Sequence, residues 1–149
     1  MPRDSLNEEG ETNPLGQSKD VGAETFPSGG VLCFNNLLAR GSGCIINISS
    51  GAGVSGPRNR SAYSASKHGV MGFTKVLVTE YLRQGIRSHV ILPDATVSQM
   101  RTEGFPDEDP ESLIQAEDIA DAAVFLATQK TTAHTMELRV SQGLATRYK

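Results

Sequence analysis

Two apolar, β-branched runs dominate the chain: Cys-Ile-Ile-Asn-Ile-Ser at residues 44–49 and Ile-Arg-Ser-His-Val-Ile-Leu at residues 86–92. Neither alternates strictly between apolar and polar, as a strand with one wet face would, so both read as strands buried on both faces of a parallel sheet. The stretch between them, residues 60–83, has helical spacing, with Val70, Phe73, Leu77 and Tyr81 apolar and Gly69 and Gly72 permitting close approach. Strand, helix and strand in that order predict an α/β fold with a parallel sheet of about three strands. The third strand is Met-Glu-Leu-Arg-Val at 136–140, and the helix before it spans 116–128. That helix places Glu117 and Asp118 in its first turn, where they complement the helix dipole, and shows Ile119, Ala122, Ala123 and Leu126 on one face. A shorter helix is expected at 31–41, with Leu32, Leu37 and Leu38 apolar and Gly41 as its stop.

Chemistry is concentrated between the first two strands. Tyr63 and Lys67 stand four residues apart, and Ser50 lies thirteen residues before Tyr63. With three Tyr in 149 residues, a Tyr-x-x-x-Lys pair with a serine so placed is expected by chance about 0.01 times, so coincidence is a weak explanation. On a helix, positions i and i+4 share a face, so the phenol and the ammonium point into the same space. An ammonium about 4 Å from a phenolate interacts with it by about 4 kcal/mol at an effective dielectric near 20, enough to bring a tyrosine into range as a general acid/base. Ser50, at the end of the first apolar run, would donate a hydrogen bond to a substrate oxygen. The bland alternative makes Tyr63 a helix-face aromatic, Lys67 a solvated charge and Ser50 a turn residue.

At these residues the chain resembles the short-chain dehydrogenase/reductase family. The matching stretches are GSGCIINISSGAG at 41–53, YSASKHGVMGFTKVL at 63–77, GIRSHVILPDATVSQM at 85–100 and AEDIADAAVFLA at 116–127. The resemblance implies a partial Rossmann-type, doubly wound parallel sheet that lacks the N-terminal nucleotide-binding half, and hydride transfer between a nicotinamide cofactor, NADP or NAD, and a small-molecule carbonyl or secondary alcohol. It implies Ser50, Tyr63 and Lys67 as catalytic residues, with Tyr63, Lys67, Pro93, Thr96 and Ser98 on the cofactor. It also implies a dimer or tetramer formed through the long helix. The tail is similar to the 3-hydroxy-acid and NADP-linked alcohol dehydrogenase branch. Several family features have no counterpart: the T-G-x-x-x-G-I-G loop that holds a pyrophosphate, the N-N-A-G segment, and an Asn about one helix before Ser50, a position falling near Ala23. Where the family has Pro-Gly, this chain has Pro93 and Asp94. The aspartate is expected to bring a negative charge to the cofactor pocket, and strain wherever the backbone needs a positive φ. His89 stands where Asn is usual, and the Pro- and acid-rich segment at 104–112 falls where the family keeps its substrate lid.

Composition bounds the rest. Residues 1–30 carry six acids and two bases, a net of −4 against −3 for the whole chain, so the remainder is close to neutral at +1. With no helical or strand period, residues 1–29 read as a disordered or poorly packed leader, and residues 30–149 as the C-terminal part of the Rossmann-type domain. A pI near 5.6 argues against a nucleic-acid surface. No apolar run approaches a membrane span, and the acidic N-terminus lacks a secretory h-region, so a cytoplasmic location is expected. Cys33 and Cys44 lack metal or C-x-x-C spacing and read as small buried thiols, while His68 and His134 read as surface positions.

Three function classes remain. The first is an oxidoreductase whose 149 residues are a truncated C-terminal half. The second is a non-catalytic fragment that associates through the long helix with full-length relatives, and the third is a chain with no stable fold.

Overall fold

The computed structural model describes residues 28–143, residue 131 excepted. Compactness divides the chain after Ala39 into two units, and of the first only part of α1 (Ser28–Arg40) is described. The expected leader, residues 1–29, lies outside the described residues except for its last two positions, which begin that helix. Gly41 follows α1 at φ +61°, the left-handed conformation anticipated for its stop.

The second unit runs β1 (Gly43–Ile48), α2 (Ser61–Tyr81), β2 (Ile86–Pro93), α3 (Gln99–Gly104), α4 (Ala116–Thr128) and β3 (Glu137–Val140). The three strands form one parallel sheet in the order β1-β2-β3, with Gly43 opposite Ile86 and Val90 opposite Glu137. This is the α/β sheet of about three strands that the two apolar runs require. The turn from α2 into β2 depends on Gly85, whose φ of +82° excludes ordinary side chains and whose would-be Cβ meets the Gly41 carbonyl oxygen.

Alternation along β2 assigns the two faces. Val90 and Leu92 pack with Met71 and the half-buried Val70, so the even positions of β2 face α2. Asn47 reaches the same side from β1, its Nδ2 donating to Thr74 Oγ1 at 3.0 Å while that hydroxyl donates to the Val70 carbonyl at 2.8 Å. Arg87, on the opposite face, donates from its guanidinium to the Leu126, Ala127 and Gln129 carbonyls at the end of α4. Because α4 has no basic residue in its own last turn, a strand residue supplies the cation that its C-terminal carbonyls favour.

Burial differs from the expectation in three places. β2 is buried almost throughout, but β1 is only half-buried and ends on Ile48, 46% exposed. The reason is position: β1 is an outer strand, with no described strand beyond it. Along α2 the buried stripe is Met71, Thr74, Leu77 and Tyr81, while Val70 and Phe73, expected on that stripe, are half-buried at its margin. Cys44 is half-buried rather than buried. Burial still pushes its thiol above the ordinary range, against the opposing pull of Arg87, which makes it a poor nucleophile. The side chain of Cys33 lies outside the described residues.

Candidate active site

The chain leaves β1 through Ser49 and Ser50 into a 3₁₀ turn, Gly51–Gly53. Ser50 caps that turn in extended conformation, its Oγ accepting from the Ala52 N–H at 3.2 Å, which leaves its O–H able to donate to a ligand. Serines fasten this turn to the start of α2. Ser49 Oγ donates to the Lys67 carbonyl at 2.9 Å, and Ser64 Oγ lies 2.8 Å from the Ala52 carbonyl and 3.0 Å from that of Ser55. The turn bearing Ser50 and the helix bearing Tyr63 are therefore held to each other by side chains of both.

Tyr63 lies half-buried in the first turn of α2, with Lys67 one turn on. Their shared face is realised: Lys67 Nζ stands 5.8 Å from the Tyr63 ring centroid and donates to the Ile48 carbonyl at 3.3 Å. The ammonium is thus tied to the end of β1. At the matching end of β2, Pro93 is buried and the chain passes Asp94 to Thr96, whose Oγ1 donates to the Asp94 carbonyl at 3.1 Å. Ser98 caps α3, its Oγ accepting from the Arg101 N–H at 3.2 Å. All these strand ends and helix starts meet at the C-terminal edge of the sheet, where open parallel sheets bind ligands.

A cleft of about 990 Å³ opens there, lined by Ser50, Tyr63, Pro93, Thr96 and Ser98 among others. Five of the six residues singled out in the sequence thus share one cavity, and Lys67 stands behind Tyr63 rather than on the wall.

Asp94 departs from the sequence expectation. The residue that takes a left-handed φ among described non-glycine positions is Asn59, so Asp94 carries no such strain. Its charge is paired, with Arg139 Nη2 of β3 donating to Asp94 Oδ1 at 2.9 Å. Gly51 makes room for the carboxylate, since a Cβ there would come within 2.6 Å of Asp94 Oδ1.

The segment at 104–112 supplies Gly104 and Phe105 to the cleft wall. Two guanidinium groups stand over the Phe105 ring, Arg101 at 4.1 Å and Arg60 at 5.5 Å from its centroid. Arg101 also forms two bonds to Glu108, at 2.6 and 2.7 Å, which hold that carboxyl below the usual carboxylate range. Arg60, Arg101 and Arg139 were not singled out in the sequence. Arg60, three residues before Tyr63, was the most accessible to spacing, whereas Arg139 is brought in only by the β2–β3 pairing.

The histidines divide. His68 is exposed, as expected, but His134 is half-buried, not on the surface, with Nε2 2.9 Å from the Ser88 carbonyl and its ring 5.0 Å from that of His89. His89 is fully buried, with Nδ1 2.8 Å from the Thr135 carbonyl. Burial holds it below the usual histidine range despite that bond, with His134 and Arg87 adding to the effect. No group of three or more metal-ligating side chains occurs among the described residues.

A family model, short chain dehydrogenase, matches residues 28–109, more than half of the chain. The chain belongs to the short chain dehydrogenase family. Curated relatives include a levodione reductase of Leifsonia aquatica, 41% identical over 76 residues, covering 51% of this chain and 28% of the relative. A 3-oxoacyl-acyl-carrier-protein reductase of Rickettsia bellii is 37% identical over 118 residues, covering 72% of this chain and 48% of the relative. Among solved structures, an actinorhodin polyketide ketoreductase variant with NADPH is 30% identical with a TM-score of 0.65, covering 79% of this chain and 52% of that one. The chain spans about half the length, or less, of the curated relatives it matches. The expected Rossmann-type architecture is confirmed by these likenesses, and no described helix is long and apolar enough to cross a membrane.

Proposed function

We propose that the chain carries the catalytic part of an NAD(P)-dependent oxidoreductase acting on a small carbonyl or secondary alcohol. The observation that supports this reading is the convergence of Ser50, Tyr63, Pro93, Thr96 and Ser98 on one cleft, with Lys67 seated one turn behind Tyr63. A hydroxyl donor at Ser98, an acceptor oxygen at Thr96 and the Lys67 ammonium fit the polar nicotinamide–ribose half of such a cofactor, NADP or NAD. The glycine-rich loop that would hold its phosphates is not among the described residues. The cofactor, when bound, supplies or accepts the hydride.

The chain's own part is proton transfer and orientation. Ser50 holds the reacting oxygen by hydrogen bonding, Tyr63 gives it a proton in reduction or takes one in oxidation, and Lys67 supplies the positive charge that supports the phenol. Residues 30–149 form the Rossmann-type part in this reading, residues 1–29 precede it as a leader, and the location is cytoplasmic.

The test is a titration with NADPH and NADH, following nicotinamide fluorescence and the thermal midpoint together, and then a panel of carbonyls and alcohols. Saturable binding, stabilisation and turnover support the reading. A cooperatively folded chain that binds neither nucleotide rejects it.

One observation favours a second reading, a non-catalytic fragment that associates with full-length relatives. β1 is the outer strand of the described sheet and ends on the exposed Ile48, and an open strand edge favours association. Co-purification with a complete reductase, weakened by Phe73→Asp, would support it. Leu77, only 2% exposed, is unsuitable for that test because its replacement strikes the core.

A further inference from the structure

The segment between β2 and α4 is pinned at its base and little anchored beyond it. Thr96 bridges to Ile114, the Val97 N–H donates to the Ile114 carbonyl at 2.9 Å, the Ile114 N–H to the Ala95 carbonyl at 3.0 Å, and Leu113 and Ile114 are buried. Between those ends, no described side chain of residues 98–112 is buried. Apolar packing therefore does not decide where Phe105, in the middle of the excursion and 42% exposed, stands on the cleft wall. Arg101 decides it. Its carbonyl accepts from the Phe105 N–H at 2.9 Å, its guanidinium stands 4.1 Å from the ring centroid, and its Nε and Nη2 donate to the two Glu108 carboxylate oxygens at 2.6 and 2.7 Å. A planar guanidinium held through two donors has one orientation, and the ring stacked on it follows. The same two bonds hold the Glu108 carboxyl below the usual carboxylate range, so the pair stays charged at neutral pH. Arg60, 5.5 Å from the same ring, approaches it from the start of α2, three residues before Tyr63.

We infer that Phe105 is the specificity-determining wall of this site, seating an apolar group of the carbonyl compound, and that Glu108 is a positioning residue that holds the ring there through Arg101. The inference deepens the oxidoreductase reading above and rests on it. Ile48, Ala62 and Ile119 line the same cavity, so a substituent that reaches the ring has further apolar surface to leave water for. With its charge met by Glu108, Arg101 serves the ring and not an anion. Without Glu108 the guanidinium would be free to leave the ring, and Phe105, on a stretch with no core of its own, would lose its place.

The experiment compares 4-phenyl-2-butanone with 2-butanone, methyl ketones that differ by one phenyl group. NADPH-dependent kcat/KM is taken for the two as a ratio, binding of the phenyl compound without nucleotide is followed by ligand-observed NMR, and the unfolding transition of every protein is recorded. Wild type is expected to favour the phenyl compound about tenfold, and Phe105→Ala to lose about tenfold in both ratio and affinity, while Phe105→Leu stays within about threefold of wild type. Glu108→Ala should lose about threefold or more through misplacement of the ring. The double variant Phe105→Ala/Glu108→Ala then matches Phe105→Ala within about twofold, because the ring that Glu108 positions is gone. Wild-type ratio and affinity in Phe105→Ala overturn the inference. A double variant in which the two losses multiply overturns the role of Glu108. Should Glu108→Ala lose its cooperative transition, Glu108→Gln, which keeps the shape and removes the charge, decides by the same ratio. The expected binding pattern without turnover upholds the apolar wall and rejects the redox reading. Turnover with ratio and affinity unmoved across the variants does the reverse, and neither binding nor turnover rejects both.

Discussion

Helix α2 is one continuous element with two unlike halves. Its first two turns carry Tyr63 and Lys67 and are exposed or half-buried, facing the cleft and the end of β1. Its later turns bury Met71, Thr74, Leu77 and Tyr81 against the sheet. The two tyrosines show the contrast: Tyr63 lines the cavity, whereas the Tyr81 phenol is pushed up to about 12, chiefly by burial and further by Glu80. A reactive group needs a wall to stand on and an opening to face, and a rigid helix anchored at one end by apolar packing supplies both.

That division is open to attack, beginning where the effect is largest. Tyr63→Phe removes one hydroxyl from the cleft end, and turnover should fall at least about 10²-fold while the unfolding midpoint stays within about 0.5 kcal/mol of wild type. A large loss of stability would mean that the two halves are not separable. Leu77→Ala cuts the buried end and should cost about 2–5 kcal/mol in urea unfolding, with nucleotide affinity in the folded fraction unchanged. Arg87→Met tests whether the opposite helix is fixed by its cation. Losing a charged donor to three α4 carbonyls should cost about 1.5–3 kcal/mol, read by the same unfolding curves.

The smallest effect concerns pH. Burial holds His89 below the usual histidine range in the folded chain, whereas it titrates near 6.5 once unfolded. The unfolded state therefore binds the extra proton as pH drops below about 6.5, so His89 contributes stability above that value and loses it below. Unfolding followed between pH 5 and 8 should show this decline, and His89→Asn, which keeps a donor for the Thr135 carbonyl, should flatten it. A decline unchanged in that variant would assign the acid sensitivity to other groups.

Much of the fold was legible because it rests on local patterns. The two apolar runs, the helical spacing after Ser50 and the acids at Glu117 and Asp118 each act within a few residues, and each appears as a strand, helix or helix start. The serine, tyrosine and lysine were legible for the same reason, since i and i+4 on a helix fix a shared face. Depth of burial was not legible, because it depends on neighbours: the apolar strand β1 is half-buried through standing at the sheet's margin. The same holds for His134, drawn inward by the Ser88 carbonyl, and for Arg139, whose cleft position follows from pairing with a strand more than forty residues away. Asp94 shows the cost of judging one residue alone, because its charge was visible and its partner was not.

Parallel pairing has a kinetic consequence. Each strand pair joins positions more than forty residues apart, Gly43 with Ile86 and Val90 with Glu137, so no two-strand contact forms by a local turn. A long loop must close before either pairing repays its lost chain entropy, and sheets of this kind fold slowly. Helix α2 forms from contacts three and four residues apart and is the natural early structure. On this topology the sheet is expected to be completed last, and until then β2, the most buried strand of the three, is uncovered. For a sheet of this topology, the yield of native protein is expected to depend on how long β2 stays exposed during folding as well as on the stability finally reached.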